Sequence, residues 1–179
     1  MLINIVARTR MRGSRLCVGG MSDDGGGFRL MTANCEYHGA ECRYQVGETW
    51  EMEVKACANL EAPHLEDVAV LRATLIGRTP NLQQLVSDRG LVWTGRINRI
   101  FNGKIRFTRG GSGYISQAAG LPPSSTGFWI SDTDLVFSNE PRQAYMPRGD
   151  RRYLSYVGTI RDNSSSFAGE MVAAGGCGP

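Results

Sequence analysis

A chain of 179 residues has room for one ordinary domain or two very small ones, and 41% hydrophobic with 21% charged residues excludes a disordered chain. The net charge of +3 is too small to demand an anionic partner, and no run nears the ~20 apolar residues of a transmembrane helix. Glycine, at 23 residues, exceeds its usual ~7% and falls between apolar runs, as in a fold of many short strands and turns.

Residues 2–6 read as the first strand. The opening residues 1–8 are apolar for too short a run to be the core of a signal peptide, and no charged segment precedes them. A cytoplasmic location is therefore expected, with the five cysteines as reduced thiols, their odd number arguing against a complete disulfide framework. Residues 15–20 form a second strand, bounded by the turn Asp23-Asp24-Gly25-Gly26-Gly27, and residues 28–32 a third. In residues 49–55 strict alternation puts Trp50, Met52 and Val54 on one face and Glu51, Glu53 and Lys55 on the other. The β-branched, apolar run 67–76 closes this half.

Thr79 as N-cap, Pro80 at the first helical position, Leu82, Leu85 and Val86 at helical spacing and Gly90 as a stop predict one short helix. Beyond it, residues 91–97 predict a strand, and Asn102-Gly103 a two-residue hairpin turn whose second arm, 104–109, points Ile105 and Phe107 inward and Lys104 and Arg106 outward. Residues 114–116, 128–130, 134–137 and 153–160 supply further strands. The two halves share a pattern, Trp50 matching Trp129, without residue identity. Five or so short strands per half is the size of a small Greek-key barrel. The expected fold is all-β: two tandem OB-like barrels over residues 1–78 and 91–162, a connecting helix at 79–90 and a C-terminal tail at 163–179.

The strand Arg15-Leu16-Cys17-Val18-Gly19-Gly20, then Gly27-Phe28-Arg29-Leu30-Met31, then Val46-Gly47-Glu48-Thr49-Trp50 resembles the opening of prokaryotic dual OB-fold proteins. Ala62-Pro63-His64-Leu65-Glu66-Asp67 and Ser112-Gly113-Tyr114-Ile115 extend the likeness over roughly residues 3–160. That family has a proline in the segment matching 28–31, absent here, and Glu-Asn where this chain has Glu66-Asp67. The resemblance implies a pair of OB-folds that bind nucleic acid, encoded among prokaryotic defence or mobile-element genes.

Charge is uneven: residues 1–80 carry −1 and residues 81–179 carry +4, and all cations but Lys55 and Lys104 are arginine. Arginine suits phosphate and base contacts, although GC-rich coding gives the same bias. Arg8, Arg10 and Arg12 fall at period two, so an extended strand would aim three guanidinium groups at one phosphate track, unless they pair with Glu51 and Glu53. The better surface is the segment 93–114, where Arg96, Arg99, Lys104, Arg106 and Arg109 alternate with Phe101, Phe107 and Tyr114, as a single-strand groove requires. Cys35, His38 and Cys42, with Cys57 or His64 as a fourth ligand, have the donor types of a zinc site but not a paired-knuckle spacing. With two histidines, a nucleophilic mechanism would have to draw on His64 beside Glu66 and Asp67, with Cys17 remote; no nucleophile elbow or phosphate loop is present. The expectation is a non-catalytic module without cofactor, resident metal or membrane association. It would bind single-stranded DNA or RNA through Arg8, Arg10, Arg12, Arg96, Lys104, Arg106, Arg109 and Tyr114. A protein-interaction adaptor, or a small-molecule sensor or enzyme with its pocket between the barrels, are the other readings.

Overall fold

Alternating apolar and polar side chains, punctuated by glycine turns, decide the first half in the computed structural model. Residues 1–11, 14–58, 60–107 and 113–132 are described, with the backbone pairing of residues 136–137, 143–145, 152–154 and 170–171. Five strands, β1 (Leu2–Arg10), β2 (Leu16–Ser22), β3 (Gly27–Met31), β4 (Glu48–Ala56) and β5 (Asp67–Arg78), close a barrel in the order β1-β2-β3-β5-β4. β3 and β5 run parallel; the other neighbours are antiparallel, and β4 returns to β1 at Leu2–Asn4. The alternation of β4 is realised: Trp50 and Met52 are buried while Glu51, Glu53 and Lys55 face solvent. They pack with Ile3, Ile5, Val18 and Leu30 in the barrel core, each fully buried aliphatic side chain contributing roughly 1.5–3 kcal/mol. Gly20 is required there, because a Cβ would lie 2.5 Å from Ile3 Cγ2.

All seven residues of β2 are buried, so both faces of this strand are covered. Leu16 and Val18 face the barrel core. Met21 faces outward and packs with Val6, Val86 and Phe128. Val86 belongs to helix α1 (Leu82–Arg89), which starts two residues later than Thr79-Pro80 would place it. Its N-cap is Asn81, whose Oδ1 accepts from Gln84 N at 3.0 Å. Thr79 is engaged elsewhere: its hydroxyl donates to buried Asn4 Oδ1 at 2.6 Å and lies 2.9 Å from the Thr49 hydroxyl. Gly90 ends the helix as expected, its N–H reaching Val86 O at 2.8 Å.

In the second half, β6 (Val92–Gly95) pairs in parallel with β9 (Phe128–Ser131), and β13 (Glu170–Met171) adds antiparallel to the other edge of β9. Part of the expected tail is therefore a strand. β7 (Ile105–Phe107) pairs with β8 (Gly113–Ile115), and β10 (Val136–Phe137), β11 (Gln143–Tyr145) and β12 (Arg152–Leu154) form an antiparallel meander. Among the described residues, the first half alone closes a barrel. Of the predicted 153–160 strand, residues 153 and 154 are in β12 and the rest lie outside the described residues.

The predicted hairpin at Asn102-Gly103 does not form. Residues 97–103 instead make kinked 3-10 turns, with Phe101 and Asn102 in the left-handed region. Ile97, Ile100 and Phe101 stand at helical spacing and are almost fully buried against Trp93, Ile105 and Trp129, so burial of this trio overrides the turn signal. Asn102 Oδ1 accepts from Trp93 Nε1 at 3.1 Å, a use for its side chain that a hairpin tip would not provide. Gly127 is pinned by the same core: a Cβ there would meet the Trp93 ring at 2.3 Å. Among the described residues, no helix is long and apolar enough to cross a membrane.

Candidate binding surfaces

The arginine track predicted on β1 is dismantled at its first member. Arg8 is half-buried and turned onto the 42–45 loop, where Nη2 donates to Cys42 O at 3.2 Å and Nη1 to Gln45 Oε1 at 3.3 Å. Its Nε is buried without a partner. Arg8 thus braces the 42–45 loop, and neither Glu51 nor Glu53 is its hydrogen-bond partner. Arg10 follows on β1, but its side chain, and Arg12 entirely, lie outside the described residues.

The second-half surface is partly assembled. β7 and β8 set Arg106 directly opposite Tyr114, and both are exposed, Tyr114 by 49%. Cross-strand neighbours on one face lie within ~5.5 Å at Cβ, so a cation and an aromatic ring share this face. Arg106 is held along the arm by Nη1, which donates to Gly103 O at 2.6 Å and Ile105 O at 3.0 Å. Arg96 and Arg99, also exposed, lie in and beside the turns that pack against β7. Lys104 departs from the expected row: its Nζ donates to Leu121 O at 2.9 Å and ties the arm to the 121–127 loop. Phe101 is core and Phe107 is half-buried, so Tyr114 is the exposed aromatic side chain of the segment. Arg109 lies outside the described residues.

The candidate metal ligands are not brought together as a set. Cys35 and Cys57 form a disulfide with Cα atoms 5.9 Å apart, correcting the expectation of five reduced cysteines and removing two of the candidate ligands. Cys35 sits in the turn after β3 and Cys57 just after β4, so the bond ties two loops at one end of the barrel. Cys42 is a buried free thiol, and His38 stands edge-on to Tyr44, with burial holding its pKa below the ordinary value. Among the described residues, no three His, Cys, Asp or Glu side chains group as metal ligands.

Sequence reasoning passed over an ion pair. Arg29 on β3 and Asp67 on β5 are register partners in the parallel pair. Both are largely buried and form a two-pronged contact, Nε to Oδ1 at 2.6 Å and Nη2 to Oδ2. The signal available was the single arginine inside Phe28-Arg29-Leu30-Met31. The charges of Arg29, Glu66 and Asp67 act on Cys17 and His64, so residues of the segments 15–20, 27–31 and 62–67 converge here. Burial pushes the Cys17 thiol up to about 11, which keeps it protonated at neutral pH and makes it a poor nucleophile. Burial, reinforced by Arg29, also lowers His64.

Glu66 turns the other way, toward the second half. Its Oε1 accepts from Ser125 N at 2.9 Å, from the Ser125 hydroxyl, and from Thr126 Oγ1 at 3.3 Å. Beside it a cleft of about 450 Å³ opens between the β2–β3 turn region and the 123–128 segment, walled by Met21, Phe28, Leu65, Leu91 and Phe128 among others. In comparisons with known proteins, the chain matches no family model, no curated protein and no solved structure.

Proposed function

We propose that this protein is a non-catalytic module that holds single-stranded nucleic acid along the β7–β8 arm of its second half. The observation that carries the reading is the exposed Arg106–Tyr114 pair: a ring on which a base can stack, beside a cation that can meet a phosphate. Exposed Arg96 and Arg99 lengthen the basic surface, and residues 81–179 hold the chain's positive surplus. Two further points support it. The order β1-β2-β3-β5-β4 with parallel β3 and β5 is the topology of an OB-fold, a barrel used for oligonucleotides, and the motif residues resemble the tandem OB-fold proteins. In an OB-fold the outer face of strands 2 and 3 is the usual ligand face; here β2 is covered by the protein's own chain, which supports looking for the ligand face in the second half. A second OB-like barrel there, and a place beside prokaryotic defence or mobile-element genes, belong to this reading through the resemblance. The bonded Cys35–Cys57 pair fits an oxidising compartment better than the cytoplasm the sequence suggested.

The test is a fluorescence titration with labelled single-stranded DNA and RNA at two salt concentrations. Binding that weakens steeply with salt supports the proposal. No binding at low salt overturns it.

One observation favours a second reading, a protein-interaction module. Leu71, Leu75 and Ile76 on β5 are each exposed by about half, large apolar side chains of the kind a partner covers. Recovery of a stoichiometric protein partner without nucleic acid, lost in Leu75→Ser, would favour it.

A further inference from the structure

We infer that the open edge of β5 is a docking site for an extended segment of a protein partner, one that alternates apolar with acidic residues and adds to the barrel as a further strand. This site rests on the protein-interaction reading above and belongs to the barrel, so it can fail while the nucleic-acid proposal for the β7–β8 arm stands.

β5 is 12 residues long, but β3 pairs with it only at Asp67, Val68 and Ala69. Over residues 70–78 its one strand neighbour is β4, and among the described residues no strand takes the other side. The β4 register fixes where the backbone groups point. Met52 exchanges both backbone hydrogen bonds with Met1, each at 2.8 Å, so its N–H and C=O face away from β5. Its register partner Ala73 therefore turns its own N–H and C=O away from β4, toward the open edge. Leu75, two residues on in unbroken register, does the same. Ala73 O accepts from Arg43 Nη2 at 3.1 Å, in agreement with that direction. Ala73 N–H and both backbone groups of Leu75 have no partner among the described residues.

The side chains supply the second observation. Edge strands that serve only the fold are blunted by charge, bulges or cover. β5 has bulges at Leu71 and Ile76, and Arg43 covers one carbonyl. Yet the stretch 72–75 stays regular, and Leu71, Leu75 and Ile76 keep about half their surface in solvent. Strand addition uses both features: open backbone groups for affinity, and side chains beside them for selectivity.

Charge selects the partner. Residues 70–78 contain Arg72 and Arg78 and no carboxylate, and Arg43 adds a third exposed cation at the edge. Glu53, across from Arg72, belongs to β4 on the other side. An acidic segment complements this edge. A second copy of the chain does not. Antiparallel pairing centred on Leu75 would set Arg72 against Arg78 of the other copy, and pairing centred on Ala73 would need the carbonyl that Arg43 holds.

The probe is a short fluorescein-labelled peptide of alternating glutamate and valine, amidated at its C-terminus and titrated against the full chain by fluorescence anisotropy. Submillimolar binding is expected, at least about fivefold tighter than for the same peptide with lysine in place of glutamate. N-methylation of the valine nitrogens should abolish it. Leu75→Pro removes an N–H that faces the open edge and spares the β4 ladder, so it should abolish binding while the unfolding midpoint shows a folded chain. In the parent chain, amide hydrogen exchange at Leu75 should slow when the peptide is added. No binding of the glutamate peptide, equal binding of the lysine or N-methylated peptide, or unchanged exchange at Leu75 would each overturn the assignment. So would a parent chain that sediments as a dimer with the Leu75 amide already protected.

Discussion

In the barrel, every residue of β2 is buried and the outward-facing Met21 is capped by α1 and Phe128. In the second half, β7 and β8 form a two-stranded arm whose outer face keeps Arg106 and Tyr114 in solvent. Both regions carry arginines, but three in the barrel act as braces: Arg8 on the 42–45 loop, Arg29 on Asp67, and Arg43 stacked over Trp50 at 4.9 Å. The same side chain has different worth in the two places. A guanidinium turned inward holds the fold, and one left outward is available to a partner. Counting arginines along a sequence does not separate the two fates.

The largest effect that tests this contrast comes from the barrel's buried ion pair. Asp67→Asn leaves Arg29 charged in a buried place with a weaker partner, and we expect a loss of about 3–5 kcal/mol in urea unfolding. Arg106→Gln on the arm should cost less than ~0.5 kcal/mol by the same measurement. Equal costs would erase the distinction between the buried ion pair of the barrel and the exposed cation of the arm. Next, Cys57→Ser should destabilise the barrel by roughly 3 kcal/mol, as expected for a loop spanning 22 residues, and added reductant should bring the parent chain to the same midpoint. A midpoint indifferent to reductant would remove the disulfide from the account.

The buried thiol of Cys17 gives a pH test confined to the barrel. Its folded pKa, about 11, stands above the ordinary 9.0, so the folded chain holds this proton more tightly than the unfolded one. The resulting stability is fully present below about pH 9 and is lost as the pH rises through about 11, on the order of 2 kcal/mol in all. Cys17→Ala should flatten that alkaline limb; an unchanged limb would assign it to other groups. The smallest effect belongs to the arm. Tyr114→Ala should weaken single-strand binding by about 1–3 kcal/mol, and Arg106→Gln should reduce the salt slope by about one unit, both read from the titration.

The strands of the barrel were legible because their signals are local. The Trp50–Lys55 alternation, the glycine turn at 25–27 and the β-branched run from Asp67 each describe one segment facing one core. What failed were segments whose residues serve two purposes. Thr79 has the chemistry of a cap, but its hydroxyl is taken by Asn4, 75 residues away, and the cap passes to Asn81. Asn102-Gly103 has turn chemistry, but Phe101 beside it is drawn into the core with Trp93. The same holds for the sites. The outward turn of Arg106 was readable from alternation along β7, whereas the withdrawal of Lys104 and Arg8 depends on carbonyls at positions 121 and 42 that no spacing rule reaches. The Arg29–Asp67 pair required the parallel register of β3 with β5, a long-range pairing that neither strand announces by itself.

Nucleic acid is proposed to lie on the arm rather than on the barrel. The most direct test is photocrosslinking of the full chain to a single-stranded oligonucleotide carrying bromodeoxyuridine, with the attached peptides identified by mass spectrometry. Crosslinks centred on Tyr114 are expected, and they should disappear in Tyr114→Ala while the fold is retained. Crosslinks confined to residues of β1–β5, or none at a protein concentration where binding is saturated, would contradict it.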